Sequence, residues 1–198
     1  MKLTKLNIHN FRGFEQESVN LSDITVFIGE NNTGKSSVLD ALRLCLGNQG
    51  YVDKISRFDY RLLNNKSYAG DAGEISIRVE VCEPTVDAWP DEIQQTLPDP
   101  VDLSADGRRN FFMNLKGSFD KTTDRSTEVR EFQTANGVSK GAKANTSKNF
   151  LDFRNLLPVF YISSLRDASK EFQQKRGLFR SFLENETIPP AKRTGIEQ

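Results

Sequence analysis

An α/β fold with a mixed β-sheet is predicted for this 198-residue chain by three consecutive features. Residues 24–28, "ITVFI", are continuously apolar and β-branched, the pattern of a strand buried on both faces. The segment "GENNTGKS" follows, with Gly29 and Gly34 bounding a polar loop. A helical period then starts at Lys35. Val38, Leu39, Leu42, Cys45 and Leu46 recur on one side, and Gly47 is a natural stop.

Strand, glycine-bounded loop and helix form the context in which G-x-x-x-x-G-K-[ST] acts as a phosphate loop, or P-loop. The chemistry accounts for each position. Gly29 and Gly34 open backbone angles closed to residues with a Cβ and let amides approach an anion. The amides of residues 31–36, from Asn31, Asn32 and Thr33 through Lys35 and Ser36, can converge on one concavity at the positive end of a helix. Lys35 places a cation on the β- and γ-phosphates. The Ser36 hydroxyl suits Mg²⁺, which requires hard oxygen donors, and Ser37 can reach the α-phosphate region. ATP and Mg²⁺ are therefore the expected ligands. The alternative is an ordinary strand–turn–helix junction, with Asn-Asn supplying a left-handed kink.

The remaining elements follow in chain order. "KLTKLNIH", residues 2–9, reads as a strand with Leu6 and Ile8 on one face, and "ESVNL" as a second short strand. Residues 48–73 show no clear period and read as loop, with a short helix near "FDYRLL". "EISIRVEV" is the cleanest strand: Ile75, Ile77, Val79 and Val81 alternate with polar residues. The proline-rich stretch after it reads as a solvated surface insertion with a short helix at "DEIQQTL". "FFMNLKGSF" and "STEVREFQT" are strands expected to join "EISIRVEV" in an antiparallel sheet. Residues 135–149 read as a mobile loop. A helix "KNFLDFRNLL", a strand "PVFYIS" and a long final helix over residues 165–186 follow, and the tail "TIPPAKRTGIEQ" has no periodicity.

Composition narrows the class. The apolar fraction of 36% against 27% charged is that of a soluble globular domain. No apolar run reaches about 18 residues, the length expected of a membrane span, and the N-terminus lacks the apolar centre of a secretory signal. Two cysteines, Cys45 and Cys82, make no disulfide framework, and Cys45 reads as a small buried hydrophobe. A cytoplasmic location is expected. Charge is uneven: residues 1–120 carry 13 bases and 18 acids, and residues 121–198 carry 14 bases and 9 acids. That excludes a uniformly basic nucleic-acid coat but allows a local basic surface near Lys170, Lys175, Arg176 and Arg180, a candidate DNA contact. The lone His9 lies at a polar strand position and suggests no catalysis.

"LTKLNIHNFRGFEQESVNL" followed by "ITVFIGENNTGKSSVLDAL" resembles the opening of ABC-type ATPases of the SMC/RecF group. Within that group it is most similar to the OLD (overcoming lysogenization defect) nucleases, which include the Gabija-type antiphage nucleases. "VFYISSLRD", residues 159–167, resembles the strand and turn that OLD ATPase domains carry after a variable insertion, which the resemblance places at residues 48–150. The resemblance implies an ATPase head that dimerises around ATP, fused to a Toprim nuclease that cleaves DNA. It implies Lys35 as the catalytic phosphate-contacting residue and Ser36 as the Mg²⁺ ligand. Arg12, in "NFRGF", falls where the group has a basic residue near the nucleotide; anchoring the turn between Phe11 and Phe14 is the competing role. Arg166 and Asp167 are weaker candidates, and Gln133 is a guess for a Mg²⁺-contacting glutamine.

The chain shows no LSGGQ-like signature, no apolar strand ending in Asp-Glu and no Toprim-like acidic cluster. Residues 1–198 are therefore expected to be the N-terminal part of an ABC-type ATPase domain, with those motifs downstream and little turnover by this piece alone. Three functions stand open. They are an OLD-type ATPase and endonuclease in antiviral defence, an SMC/RecF-type DNA repair or maintenance ATPase without a nuclease, and a nucleotide-sensing scaffold acting with a partner defence protein. A homodimer or higher homo-oligomer is expected in each case.

Overall fold

The computed structural model describes residues 1–47, 54–62 and 69–159, and residues 1–159 group as one compact unit. The strand expected beyond Val159 and the final helix lie outside the described residues. So do Arg166, Asp167, Lys170, Lys175, Arg176 and Arg180.

The chain opens with a hairpin, β1 (Leu3–Phe11) and β2 (Phe14–Asn20). Helix α1 (Lys35–Leu46) follows the phosphate loop, and β3 (Ile75–Cys82) follows a 3₁₀ turn at Ala69–Asp71. Then come α2 (Asp91–Thr96), the two-residue β4 (Asp102–Leu103), β5 (Arg109–Asp120), β6 (Arg125–Gln133) and α3 (Ser147–Leu156). The sheet runs β2-β1-β3-β5, and the far side of β5 pairs with β4 at its start and β6 along the rest. Every strand pairing among the described residues is antiparallel.

Alternation on these strands decides where the core sits. Val19, Leu6, Val79, Met113 and Phe132 form one cross-strand row, and Ile8, Ile77 and Leu115 form the next. Apart from the half-buried Val19, all of these are buried in a single apolar cluster. Helix α1 covers this face against β1 and β3, and the Cys45 thiol donates to the Ile77 carbonyl at 3.6 Å. Helix α3 adds Phe153, whose ring meets Phe111 and Phe132 edge-on at 5.6 and 5.4 Å. The opposite face is polar and cross-linked. Asn7 donates to Glu80 at 2.8 Å, Ser76 to Asn114 at 2.9 Å, and Lys116 pairs with Glu131 at 2.8 Å.

Arginines close the C-terminal end of α1. Arg130 donates to the Leu44 carbonyl at 3.1 Å and Arg154 to the Gly47 carbonyl at 3.1 Å. Both satisfy carbonyls that the helix leaves open and place positive charge at its negative end.

Four expectations need correction. Residues 24–28 form no ladder with any described strand, and Ile24, Val26 and Ile28 are 83%, 71% and 91% exposed. Their β-branched composition is strand-like, but a strand needs a neighbour, and β1 takes β2 and β3 instead. Helix α1 buries Val38, Cys45 and Leu46 as expected, but Ala41 and Leu44 join them while Leu39 is exposed. The described part of residues 58–62 is turn and bridge, not helix. Residues 135–149 are tied down, with Lys140 N–H donating to Phe132 O, Phe132 N–H to Asn145 Oδ1, and Asn149 Nδ2 to the Ala144 carbonyl.

The acidic stretch is also less solvated than expected. Trp89, Ile93 and Leu97 enter the core, and Trp89 stacks on Phe111 at 5.6 Å. Glu83 is fully buried against Arg109, at 2.6 Å.

Candidate nucleotide site

The phosphate loop lies beside the β1–β2 turn, and the two together wall a cleft of about 610 Å³. Its lining is the turn residues Arg12, Gly13 and Phe14, the loop and first helical turn at residues 31–37, and Phe58.

The loop backbone follows from its residue types. Asn32 takes a left-handed angle, φ 69°, which Asn tolerates better than most side chains. Gly34 does the same at φ 92° and serves as the N-cap of α1, with no side chain capping the helix and no acid in its first turn. The first amides of α1 are thus left without a side-chain acceptor, and an uncapped N-terminus favours an anion. The Lys35 ammonium folds back into the loop. It donates to the carbonyls of Gly29, at 2.8 Å, and Glu30, and reaches Thr33 Oγ1 at 3.4 Å. None of these acceptors is a carboxylate, so among the described residues the charge is held in place without an ion pair. Ser36 is exposed and Ser37 half-buried on the cleft wall. Gly29 contributes through its carbonyl and lies outside the cleft lining.

Arg12 stands at the turn and faces the cleft. Its guanidinium lies over the Phe11 ring, 5.0 Å from the centroid, and also lines the cleft. The two-residue turn puts the left-handed angle on Arg12 itself, φ 50°. Three hydrogen bonds hold it there. Its N–H donates to the Asp59 carbonyl at 2.7 Å, Nε to Asp59 Oδ1 at 2.9 Å and Nη1 to Asp40 Oδ2 at 2.5 Å. Burial alone lowers the guanidinium pKa, but the hydrogen bonds to Asp40 and Asp59 outweigh it and the net direction is upward.

Three side chains at this site carry no local signal in the sequence: Asp40 and Asp59 hold Arg12, and Phe58 lines the cleft. Phe14, which the sequence places in the turn, also packs on Gly34. Gln133 does not reach the site. It is buried at the end of β6 and donates to Glu131 at 2.7 Å. Among the described residues no group of three or more His, Cys, Asp or Glu could hold a metal ion, and no helix is long and apolar enough to cross a membrane.

The AAA ATPase domain family matches residues 1–185. The chain belongs to that family. This ATPase domain is 26% identical over 195 residues to Endonuclease GajA of Bacillus cereus (strain VD045), a match covering 94% of the chain and 31% of GajA. The chain thus spans about a third of that relative's length. A solved structure concerning ATP-driven dimerization and DNA stimulated activation of SMC ATPases matches with a TM-score of 0.51 at 18% identity. That match covers 92% of this chain and 96% of the other. At that identity the likeness establishes the fold: the ATPase domain has the α/β P-loop architecture of an SMC-type ATPase head.

Proposed function

We propose that this ATPase domain binds Mg²⁺–ATP in the cleft between the phosphate loop and the β1–β2 turn. The observation that carries this is the Lys35 ammonium, held inside a left-handed loop by neutral oxygens at an uncapped helix start. Triphosphate oxygens would replace those carbonyls as stronger, charged acceptors. Asn31, Asn32, Thr33, Gly34, Ser36 and Ser37 complete the cradle, Gly29 orients Lys35 through its carbonyl, and Arg12 borders it. Ser36 would hold Mg²⁺ through its hydroxyl; one protein oxygen with phosphate and water is an ordinary set for that ion.

The likeness to GajA supports a finer reading. These residues are the N-terminal ATPase portion of an OLD-family nuclease of antiphage defence. ATP binding controls dimerisation of the head, and dimerisation gates DNA cleavage by a Toprim domain outside this segment. The basic residues Lys170, Lys175, Arg176 and Arg180 are proposed DNA contacts. The SMC-type fold equally suits a DNA-maintenance ATPase without a nuclease.

Two measurements test this. Titration with Mg²⁺–ATP should show binding that Lys35→Ala abolishes; unchanged affinity in the variant removes the site. A DNA-cleavage assay on the complete protein, with Mg²⁺ and with or without ATP, separates the readings. Cleavage supports the nuclease, and ATP turnover without cleavage supports the maintenance ATPase.

A further inference from the structure

Phe58 is 77% exposed, although burial is what ordinarily stabilises a phenylalanine. Single exposed apolar residues are common and need no function. Phe58 differs from them in how it is held and where it stands.

The turn that presents it is rigid. The Asp59 carboxylate accepts from Ser56 N–H and Ser56 Oγ, both at 2.8 Å, and Asp59 N–H donates to the Ser56 carbonyl at 3.1 Å. Phe58 N–H donates to Ser56 Oγ at 3.3 Å. Asp59 then ties the turn to Arg12 through backbone and side chain, so Phe58 is positioned relative to the wall of the phosphate cleft. The ring itself has a cationic backing, because the Arg57 guanidinium lies 4.9 Å from its centroid.

Its location is specific. Phe58 and Arg12 are the two residues shared by the phosphate cleft and an adjoining cleft of about 380 Å³, which also contains Arg43 and Lys54. Phe58 thus lines the same cleft as residues 31–37, within which a ligand anchored there by its phosphates would extend. A flat, preorganised aromatic surface at that point suits a heteroaromatic ring, since every base has a π-face to stack.

We propose that Phe58 is the stacking platform for the base of the nucleotide, with Arg57 backing the ring. This rests on the nucleotide reading of the phosphate cleft and adds the source of base affinity. Stacking reads ring area and not edge chemistry, so the platform favours purines over pyrimidines and separates ATP from GTP weakly.

The test titrates wild type, Phe58→Ala, Phe58→Trp and Lys35→Ala with Mg²⁺–ATP and with Mg²⁺–tripolyphosphate, which lacks a base. Phe58→Ala should weaken ATP by about 5- to 100-fold, the range for loss of one stacked base, and leave tripolyphosphate unchanged. The indole emission gained in Phe58→Trp should be quenched by ATP and not by tripolyphosphate, and wild type, whose Trp89 is buried, supplies the background. Equal losses for both ligands in Phe58→Ala, or ATP affinity like wild type, overturns the platform. Intact ATP affinity with reduced self-association would instead assign Phe58 to a protein contact, and also overturns it. The two readings fail separately. If Lys35→Ala binds ATP like wild type, the nucleotide site itself is wrong; if Lys35→Ala loses ATP and Phe58→Ala does not, the platform alone is wrong.

Discussion

The Phe14 ring lies so close to Gly34 that a Cβ placed on Gly34 would come within 2.6 Å of Phe14 Cζ. The hairpin turn and the phosphate loop are therefore in contact through a glycine that has no spare room. Gly34 also sits at φ 92°, where a Cβ is strained whatever surrounds it. Gly34→Ala should weaken nucleotide binding at least tenfold by calorimetry while the fold persists, since the strain falls on an exposed loop. Adding Phe14→Ala relieves the clash and not the backbone angle, so the double variant should recover part of the loss. Full recovery would show that the contact matters and the angle does not.

Asp59 is the joint between the cleft wall and the Phe58 turn. Its side chain is nearly buried and accepts from Ser56 and Arg12. Asp59→Ala leaves Arg12 with Asp40 alone and strands the Ser56 N–H. The cost should be about 2–3 kcal/mol, below the range for a fully buried pair because Arg12 is partly solvated. For a domain of this size that is roughly 5–10 °C in Tm. Asp40→Ala, on the half-buried partner, should cost less. Equal Tm values for the two variants would contradict this ranking.

How much of this was legible depends on how local the cause is. The phosphate loop is contiguous, so residues 29–37 carry their own signature, and Asn32 adopts the left-handed angle its side chain tolerates. The β3 strand was legible because one buried face imposes strict alternation. Residues 24–28 misled because composition reports strand preference, whereas pairing depends on which neighbours the fold supplies. On α1 the spacing finds Val38, Cys45 and Leu46, but it weights Leu39 above Ala41, while close packing on a sheet favours the smaller residue. Asp40 and Asp59 reach Arg12 across 28 and 47 residues of chain, and Phe58 lines a cleft with residues distant in sequence, so no short pattern marks them; Phe14 is legible in the turn, but its packing on Gly34 is not.

Glu83 gives the fold an acid-sensitive joint. Burial raises its pKa, but hydrogen bonds from the Arg109 side chain and N–H and from the Trp89 N–H outweigh this, and the net value falls from 4.5 to about 2. The folded pKa is below the unfolded one. The contribution is therefore complete above about pH 4.5 and is lost as pH falls toward 2. Glu83→Ala leaves Arg109 buried without its main partner and should cost about 3–5 kcal/mol at pH 7. Thermal melts across pH 2–7 should show the wild-type Tm falling in the acid window, with a smaller change in Glu83→Ala. Parallel curves would exclude Glu83 as the source.

Cys45 should be unreactive in the folded state. It is buried beneath the sheet, and desolvation, only partly offset by Arg130, pushes its thiol up to about 12. Thiolate is the reactive form, so alkylation at pH 8 should modify the half-buried Cys82 first and Cys45 only after denaturant is added. Peptide mass spectrometry distinguishes the two sites. Comparable labelling of both without denaturant would mean that α1 separates from the sheet at low cost.

Ile24, Val26 and Ile28 are all strongly exposed, and their segment pairs with no strand among the described residues. An unpaired, β-branched and uncharged stretch is a template for pairing with another chain. The isolated 198-residue chain should therefore self-associate through it as concentration rises. Ile24→Thr together with Ile28→Thr keeps the β-branch while removing apolar surface. The double variant should scatter less light at equal concentration, with a Tm within roughly 2 °C of wild type, since exposed substitutions rarely exceed about 0.5 kcal/mol. Unchanged scattering would place the association surface elsewhere. A large fall in Tm would mean that these side chains support the phosphate loop, which begins one residue after Ile28.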